Sequence, residues 1–219
     1  MAKLEKKIVY QYILTAKTGI HIGGTNAALN IGGPDKFVVR NPLNNIPYVP
    51  GSSIKGKMRS LIELKYGCCT ENRGKMGPSE RKDSPSGMLF GTASNDDSEK
   101  RPSRLIVRDA PLIIDTKDVA YGEEGISFDN TDLPYTESKT ECSIDRVTSA
   151  ANPRTFERVP AGAKFRVEMV LNIFDGEDER ELKRLLKEAI TLLENDYLGG
   201  NGSRGYGQVE FTLSSEKEV

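Results

Sequence analysis

Tryptophan is absent from this 219-residue chain, histidine occurs once, and there are only three cysteines. Two of the three, Cys68 and Cys69, are adjacent, a spacing that builds no disulfide framework. The pattern is equally poor for zinc, since neighbouring cysteines rarely share a tetrahedral site and His21 is distant in sequence. No apolar run approaches the length of a membrane span. The charged start Met1–Lys7 leads into a strand rather than a secretory leader, so a cytoplasmic protein with no membrane partner is expected. An excess of either charge is missing too: 31 Lys and Arg stand against 32 Asp and Glu. Any case for nucleic-acid binding therefore rests on local clustering. The length suits one domain, residues 1–219, with insertions on a substantial core.

What is present is periodicity. Residues 8–16 alternate, with Ile8, Tyr10, Tyr12 and Leu14 on one face of a strand. Residues 18–24 read as a second short strand, Gly32-Gly33-Pro34-Asp35 as a turn, residues 37–40 as another strand, and Asn44-Asn45 as a hairpin tip. Gly51-Ser52-Ser53 opens a helix that either serine could cap, with Ile54, Met58, Leu61 and Ile62 facing the core. Residues 66–103 form a polar, mobile, lid-like insertion around the apolar knot Met88-Leu89-Phe90. A strand over 104–110 precedes a second insertion, 111–159, whose later half (135–159) suits a long hairpin. Lys164–Phe174 alternates without a break, and residues 182–197 carry an amphipathic stripe from Leu182 to Leu193. A last strand begins at Gln208. Without its insertions the order is βαββαβ, an α+β ferredoxin-like core. The RNA-recognition motif shares that skeleton, but its aromatic signature is absent here, so fold alone assigns no function.

Two clusters carry chemistry. Gly199-Gly200-Asn201-Gly202-Ser203-Arg204-Gly205-Tyr206-Gly207 can reach positive φ and let backbone approach a bound group, with a charged fork and a stacking ring beside the amides. Taken alone, such a loop reads first as a connector between helix and strand. Lys55 and Arg59 stand one turn apart near a helix start, with Lys57 between them; an exposed basic face is the plain reading. Cations there oppose the helix dipole, which suits a site that meets an anion.

Together, Gly19–Gly24, Pro50–Arg59, Ile144–Thr148 with Ala151–Arg154, and Leu198–Gly207 resemble the repeated backbone subunit of type III-A CRISPR–Cas (Csm) effector complexes. That family lies within the repeat-associated mysterious protein (RAMP) superfamily. The resemblance implies copies stacked as a filament along a guide RNA, beside other Csm subunits. A thumb hairpin at 135–159 would pry open the guide–target duplex, and target RNA would be cut beside each flipped-out nucleotide with a divalent metal, magnesium or manganese. Asp35 takes the place of the catalytic, metal-binding aspartate. His21, Ser53, Lys55, Lys57, Arg59, Arg146, Arg154, Gly200, Gly202, Ser203, Arg204, Gly205 and Tyr206 take the places of RNA-binding residues.

From spacing alone Asp35 is first a turn former, and the resemblance reverses that preference. A ribonuclease of this kind can use the substrate's own 2′-hydroxyl, aligned by unstacking, while a metal held by one carboxylate offsets phosphate charge. Three readings stay open: an RNA-guided endoribonuclease subunit, a non-catalytic RNA-binding scaffold, and a phosphate-binding metabolic domain using the glycine loop alone. The long second insertion and the Lys55–Arg59 pair speak against the third.

Overall fold

The computed structural model describes residues 3–24, 34–72, 74–92, 94, 96–114 and 127–219. In chain order its elements are β1 (Leu4–Ala16), β2 (Tyr48–Val49), α1 (Gly51–Tyr66), β3 (Thr70–Asn72), β4 (Lys75–Gly77), α2 (Pro85–Phe90), β5 (Leu105–Val107) and β6 (Ala110–Pro111). There follow β7 (Glu137–Ile144), β8 (Ala151–Arg158), β9 (Lys164–Phe174), α3 (Glu179–Glu194) and β10 (Val209–Glu218). The expected Gly32 and Gly33 of the first turn, and residues 115–126 of the second insertion, lie outside the described residues.

The main sheet has the order β10-β1-β9-β5, every neighbouring pair antiparallel. Alternation decides its buried face: Ile8, Tyr10, Leu14 and Ala16 of β1 meet Phe165, Val167, Met169, Leu171 and Ile173 of β9. The helical period supplies the other half of that core. Ile54, Met58 and Ile62 come from α1, and Leu182, Leu185, Leu186, Ala189, Ile190 and Leu193 from α3. α3 starts at Asp178, whose carboxylate accepts from the amides of Arg180 and Glu181 at 2.9 and 3.3 Å. The observed fold is thus mixed α+β on a mostly antiparallel sheet.

Several local expectations change. α1 begins two residues earlier than a Ser52 cap would allow: Pro50 is its N-cap, and no cap side chain bonds the turn. The capping group is Asp109, whose Oδ1 accepts from the Gly51 amide at 2.8 Å. Gly51 is required there, because a Cβ would lie 2.8 Å from the Arg108 carbonyl group. Residues 18–24 and 36–40 form no continuous strands but single bridges, Ile20 to Val159, Gly23 to Val38, Lys36 to Phe156 and Arg40 to Pro47. Each partner is taken up briefly and left as the backbone turns.

The first insertion is packed down rather than loose. Glu63 of α1 is buried, and its Oε1 accepts from Arg59 Nε (2.8 Å), the Ser79 amide (2.9 Å) and the Ser86 hydroxyl (2.7 Å). Beside that anchor α2, capped by Ser84, buries Leu89 and Phe90.

Candidate active site and nucleic-acid interface

β7 and β8 form a hairpin running from Glu137 opposite Arg158 to Ile144 opposite Ala151. At its tip the Asp145 carboxylate accepts from the Val147 and Thr148 amides at 2.9 and 2.7 Å. Those bonds, Thr148's first, hold Asp145 below the usual aspartate range. The tip projects Arg146 and Val147, both exposed. Arg154 lies further down, opposite Glu141 and exposed.

Asp35 sits against the base of this hairpin. Its amide donates to the Thr155 carbonyl at 2.9 Å, and its Oδ2 accepts from the Thr155 amide at 2.7 Å. The residue is exposed, and Oδ1 has no partner among the described residues. Among those residues no group of three Asp, Glu, His or Cys side chains converges. An exposed aspartate with one oxygen unbonded among the described residues fits a magnesium or manganese ion that keeps most of its waters; it does not fit an ion caged by protein ligands.

Behind Asp35 is a residue the sequence reading passed over, Glu157. It is 2% exposed. Its Oε1 accepts from Arg40 (2.5 Å) and from the Thr136 hydroxyl (2.7 Å), and its Oε2 from the Val38 amide (2.8 Å). Its own amide donates to Lys36 O at 2.9 Å. Nothing in the text FERV marks it, because the partners that receive this charge lie 21 to 119 residues away along the chain.

His21 is buried, its Nδ1 bonded to the Glu157 carbonyl at 2.6 Å and its ring edge-on to Phe156. That bond sets Nδ1–H as the donor. The His21 carbonyl accepts from the Gly200 amide at 2.8 Å, so this one histidine joins the glycine loop to the hairpin base.

The glycine loop is built differently from an open anion nest. The amides of Gly200, Arg204, Gly205 and Gly207 already donate within the protein. Gly202 is needed for its neighbour: a Cβ there would overlap the Tyr197 ring, which Lys57 Nζ covers at 3.7 Å from the centroid. Tyr206 is no stacking platform, being 1% exposed with Lys139 and Arg158 over its ring at 4.6 and 4.9 Å. Burial, with Glu141 beside it, pushes its phenol up to about 12. Ser203, Arg204 and Gly205 remain exposed, and Arg204 keeps only a 3.3 Å contact to Glu141. Arg204, Lys36 and Arg154 flank a groove of about 550 Å³ between loop and hairpin, with Asn152, Phe156 and Asn201 also on its walls.

The expected basic face of α1 does not form. Lys55 donates to Ser103 Oγ and Leu105 O, both at 2.8 Å, and burial followed by the Arg59 charge lowers its pKa. Arg59 bonds Glu63 and, at 3.1 Å, Ser79 O; Lys57 pairs with Asp196 at 2.8 Å. These cations hold the first insertion and α3 in place. Ser53 lies inside the first helical turn, whose leading amide Asp109 already occupies. The structure thus brings Asp35, His21, Arg154, Gly200, Ser203, Arg204 and Gly205 around the hairpin base and loop, and turns Lys55, Lys57, Arg59, Gly202 and Tyr206 to internal work.

The sequence profile of the RAMP superfamily matches residues 13–210. The chain belongs to the RAMP superfamily. Among related RAMP proteins, one from Methanothermobacter thermautotrophicus, named CRISPR system Cms endoribonuclease Csm3, is 38% identical over 95% of this chain and 85% of its own. Proteins of that name from Methanocaldococcus jannaschii and Streptococcus thermophilus are 41% and 39% identical. They match 95% and 94% of this chain, and 79% and 87% of theirs. A crystal structure of a Csm3-Csm4 subcomplex in the type III-A CRISPR-Cas interference complex superposes with TM-score 0.57 and 29% identity, covering 99% of this chain and 89% of that one. A cryo-EM structure of the type III-B Cmr-beta bound to cognate target RNA gives TM-score 0.62 over 98% of this chain and 61% of that one; at 16% identity the likeness is of fold alone.

Proposed function

We propose that this RAMP protein is the repeated backbone subunit of a type III-A CRISPR effector, an endoribonuclease that binds guide RNA and cleaves complementary target RNA at regular intervals. The observation that carries the cutting site is Asp35, an exposed residue clasped through its amide and its Oδ2 by the Thr155 backbone, with Oδ1 unbonded among the described residues. The strand order β10-β1-β9-β5, reading 4-1-3-2 in the βαββαβ count, supports a ferredoxin-like core. Residues 66–103 then serve as the lid-like insertion and 111–159 as the one bearing the thumb hairpin. Further copies of the chain and other Csm subunits are its protein partners.

Asp35 would hold the divalent ion, which supplies charge compensation at the scissile phosphate. The nucleophile is the target's own 2′-hydroxyl, so the protein's task is geometric: to hold an unstacked nucleotide with that oxygen in line with the phosphorus. Val147 and Ala150, exposed at the hairpin tip whose turn Asp145 holds, suit a wedge between bases. Arg204, Arg154 and Lys36 suit phosphates along the groove. His21 acts through the loop and the hairpin rather than on the reacting atoms.

The test is Asp35→Ala in assembled complex with magnesium, against Asp145→Ala as control. The expected result is a loss of cutting by three or more decades, about 4 kcal/mol of barrier, with target binding retained. Undiminished cutting would leave an RNA-binding scaffold instead.

A further inference from the structure

Asp35 is held to β8 by a bridge that is one residue long, Lys36 beside Phe156 in parallel pairing. A ladder fixes register by repetition, and a single bridge cannot. Slipping the segment by one residue would carry Asp35 to the opposite face and present Pro34 or Lys36 in its place. The geometry points to Glu157 as the positioning residue that sets this register; the inference rests on the catalytic reading of Asp35. Glu157 contacts residues 36, 38 and 40 in turn: its amide donates to Lys36 O, its Oε2 accepts from the Val38 amide, and its Oε1 accepts from Arg40. Three alternate residues of one segment are thereby matched to one side chain and its own backbone. Thr136 on the hairpin base and His21 at the end of the glycine loop bond the same residue, which holds Glu157 itself still. Gly23 bridges Val38, the Gly24 amide donates to Phe37 O at 3.1 Å and the Val39 amide to Ile22 O at 2.9 Å, which ties the segment to residues 22–24 rather than to β8. Toward β8, Lys36 Nζ adds a contact 5.5 Å from the Phe156 ring with little directional demand.

Removing Glu157 alone would strand Arg40, whose side chain is 9% exposed, so the test uses paired variants. Replacing a buried ion pair by apolar residues of similar volume is often neutral for stability. R40M/E157L deletes the acceptor for the Val38 amide, whereas R40M/E157Q keeps one. Because R40M/E157L also leaves the buried Val38 amide and Thr136 hydroxyl without an acceptor, it is expected to unfold several degrees below R40M/E157Q. Both are therefore assayed in assembled complex well below either midpoint, where they are expected to bind target equally. R40M/E157Q should cut near the wild-type rate. R40M/E157L should cut about 100-fold more slowly, the penalty of a misplacement on the order of 1 Å, and its Val38 amide should exchange hydrogen faster. Equal cutting by the two pairs would overturn the proposal. Should R40M/E157L fail to fold, an amide-to-ester change at Val38 removes the same donor with no side chain altered; wild-type cutting by that ester would overturn the proposal equally. Asp35→Ala in the same assay separates the two claims. Its continued cutting would refute the catalytic reading, while amide exchange at Val38 still reports whether Glu157 holds the segment.

Discussion

Glu63 offers the sharpest stability measurement in the molecule. Its Oε1 alone gathers a guanidinium, a backbone amide and a hydroxyl, and Ser79 and Ser86 are buried with it. Glu63→Ala leaves three donors without an acceptor. A buried amide or hydroxyl left unpaired costs about 1–3 kcal/mol, and Arg59, about a fifth exposed, can turn partly to water. A total of about 3–5 kcal/mol follows, within the range for breaking a buried pair. For a domain of this length each kcal/mol lowers the melting midpoint by about 2–4 °C, so a fall of about 6–20 °C is expected. Ser86→Ala removes one donor and leaves two, and should cost only about 1 kcal/mol. Differential scanning calorimetry gives both midpoints, and limited proteolysis locates the damage, which should fall first within residues 66–103. A Glu63→Ala midpoint no lower than that of Ser86→Ala would refute the anchor, as would cleavage that begins elsewhere.

Other expectations concern the glycine loop, the cations and pH. Gly202→Val should drive the Tyr197 ring from its place and lower the midpoint by several degrees. Gly205→Ala, with open space but φ of +84°, should cost about 1 kcal/mol and spare the fold; nuclease protection of bound guide measures the functional part of each. Arg204→Ala should flatten the salt dependence of single-strand binding by about 0.7, while Lys55→Ala with Arg59→Ala should lower thermal stability and leave that slope nearly unchanged. The reverse ranking in a salt titration would return α1 to the RNA path. Asp145 has its folded pKa depressed, so its contribution to the hairpin turn is complete at neutral pH and above the ordinary aspartate value of about 3.9. It is lost as pH falls through the lower folded value. Amide shifts of Val147 and Thr148 followed by NMR should change in that acid window and stay constant from pH 5 to 8.

Residue order by itself determined the elements whose burial repeats. β9 was legible to the residue, because Phe165, Val167, Met169, Leu171 and Ile173 alternate without a break. α3 was legible from Leu182 to Leu193, and the β7–β8 hairpin as the later half of the second insertion. The glycine loop was legible as a special backbone, but not its partner: close approach was expected to serve a ligand, and for Gly202 it serves Tyr197. Only the tertiary structure decided which charges are internal. Glu63, Asp109 and Glu157 each accept bonds from atoms that the chain brings back over 16, 58 and 119 residues, and no period in the sequence encodes such a return. Lys55 and Arg59 looked free for the same reason, since a helix start fixes the direction of a cation and not what the chain later lays against it. Hydrophobic order is local and repetitive, and so readable in one dimension. The pairing of a buried charge is a single contact in three, and it exists only once the chain has closed.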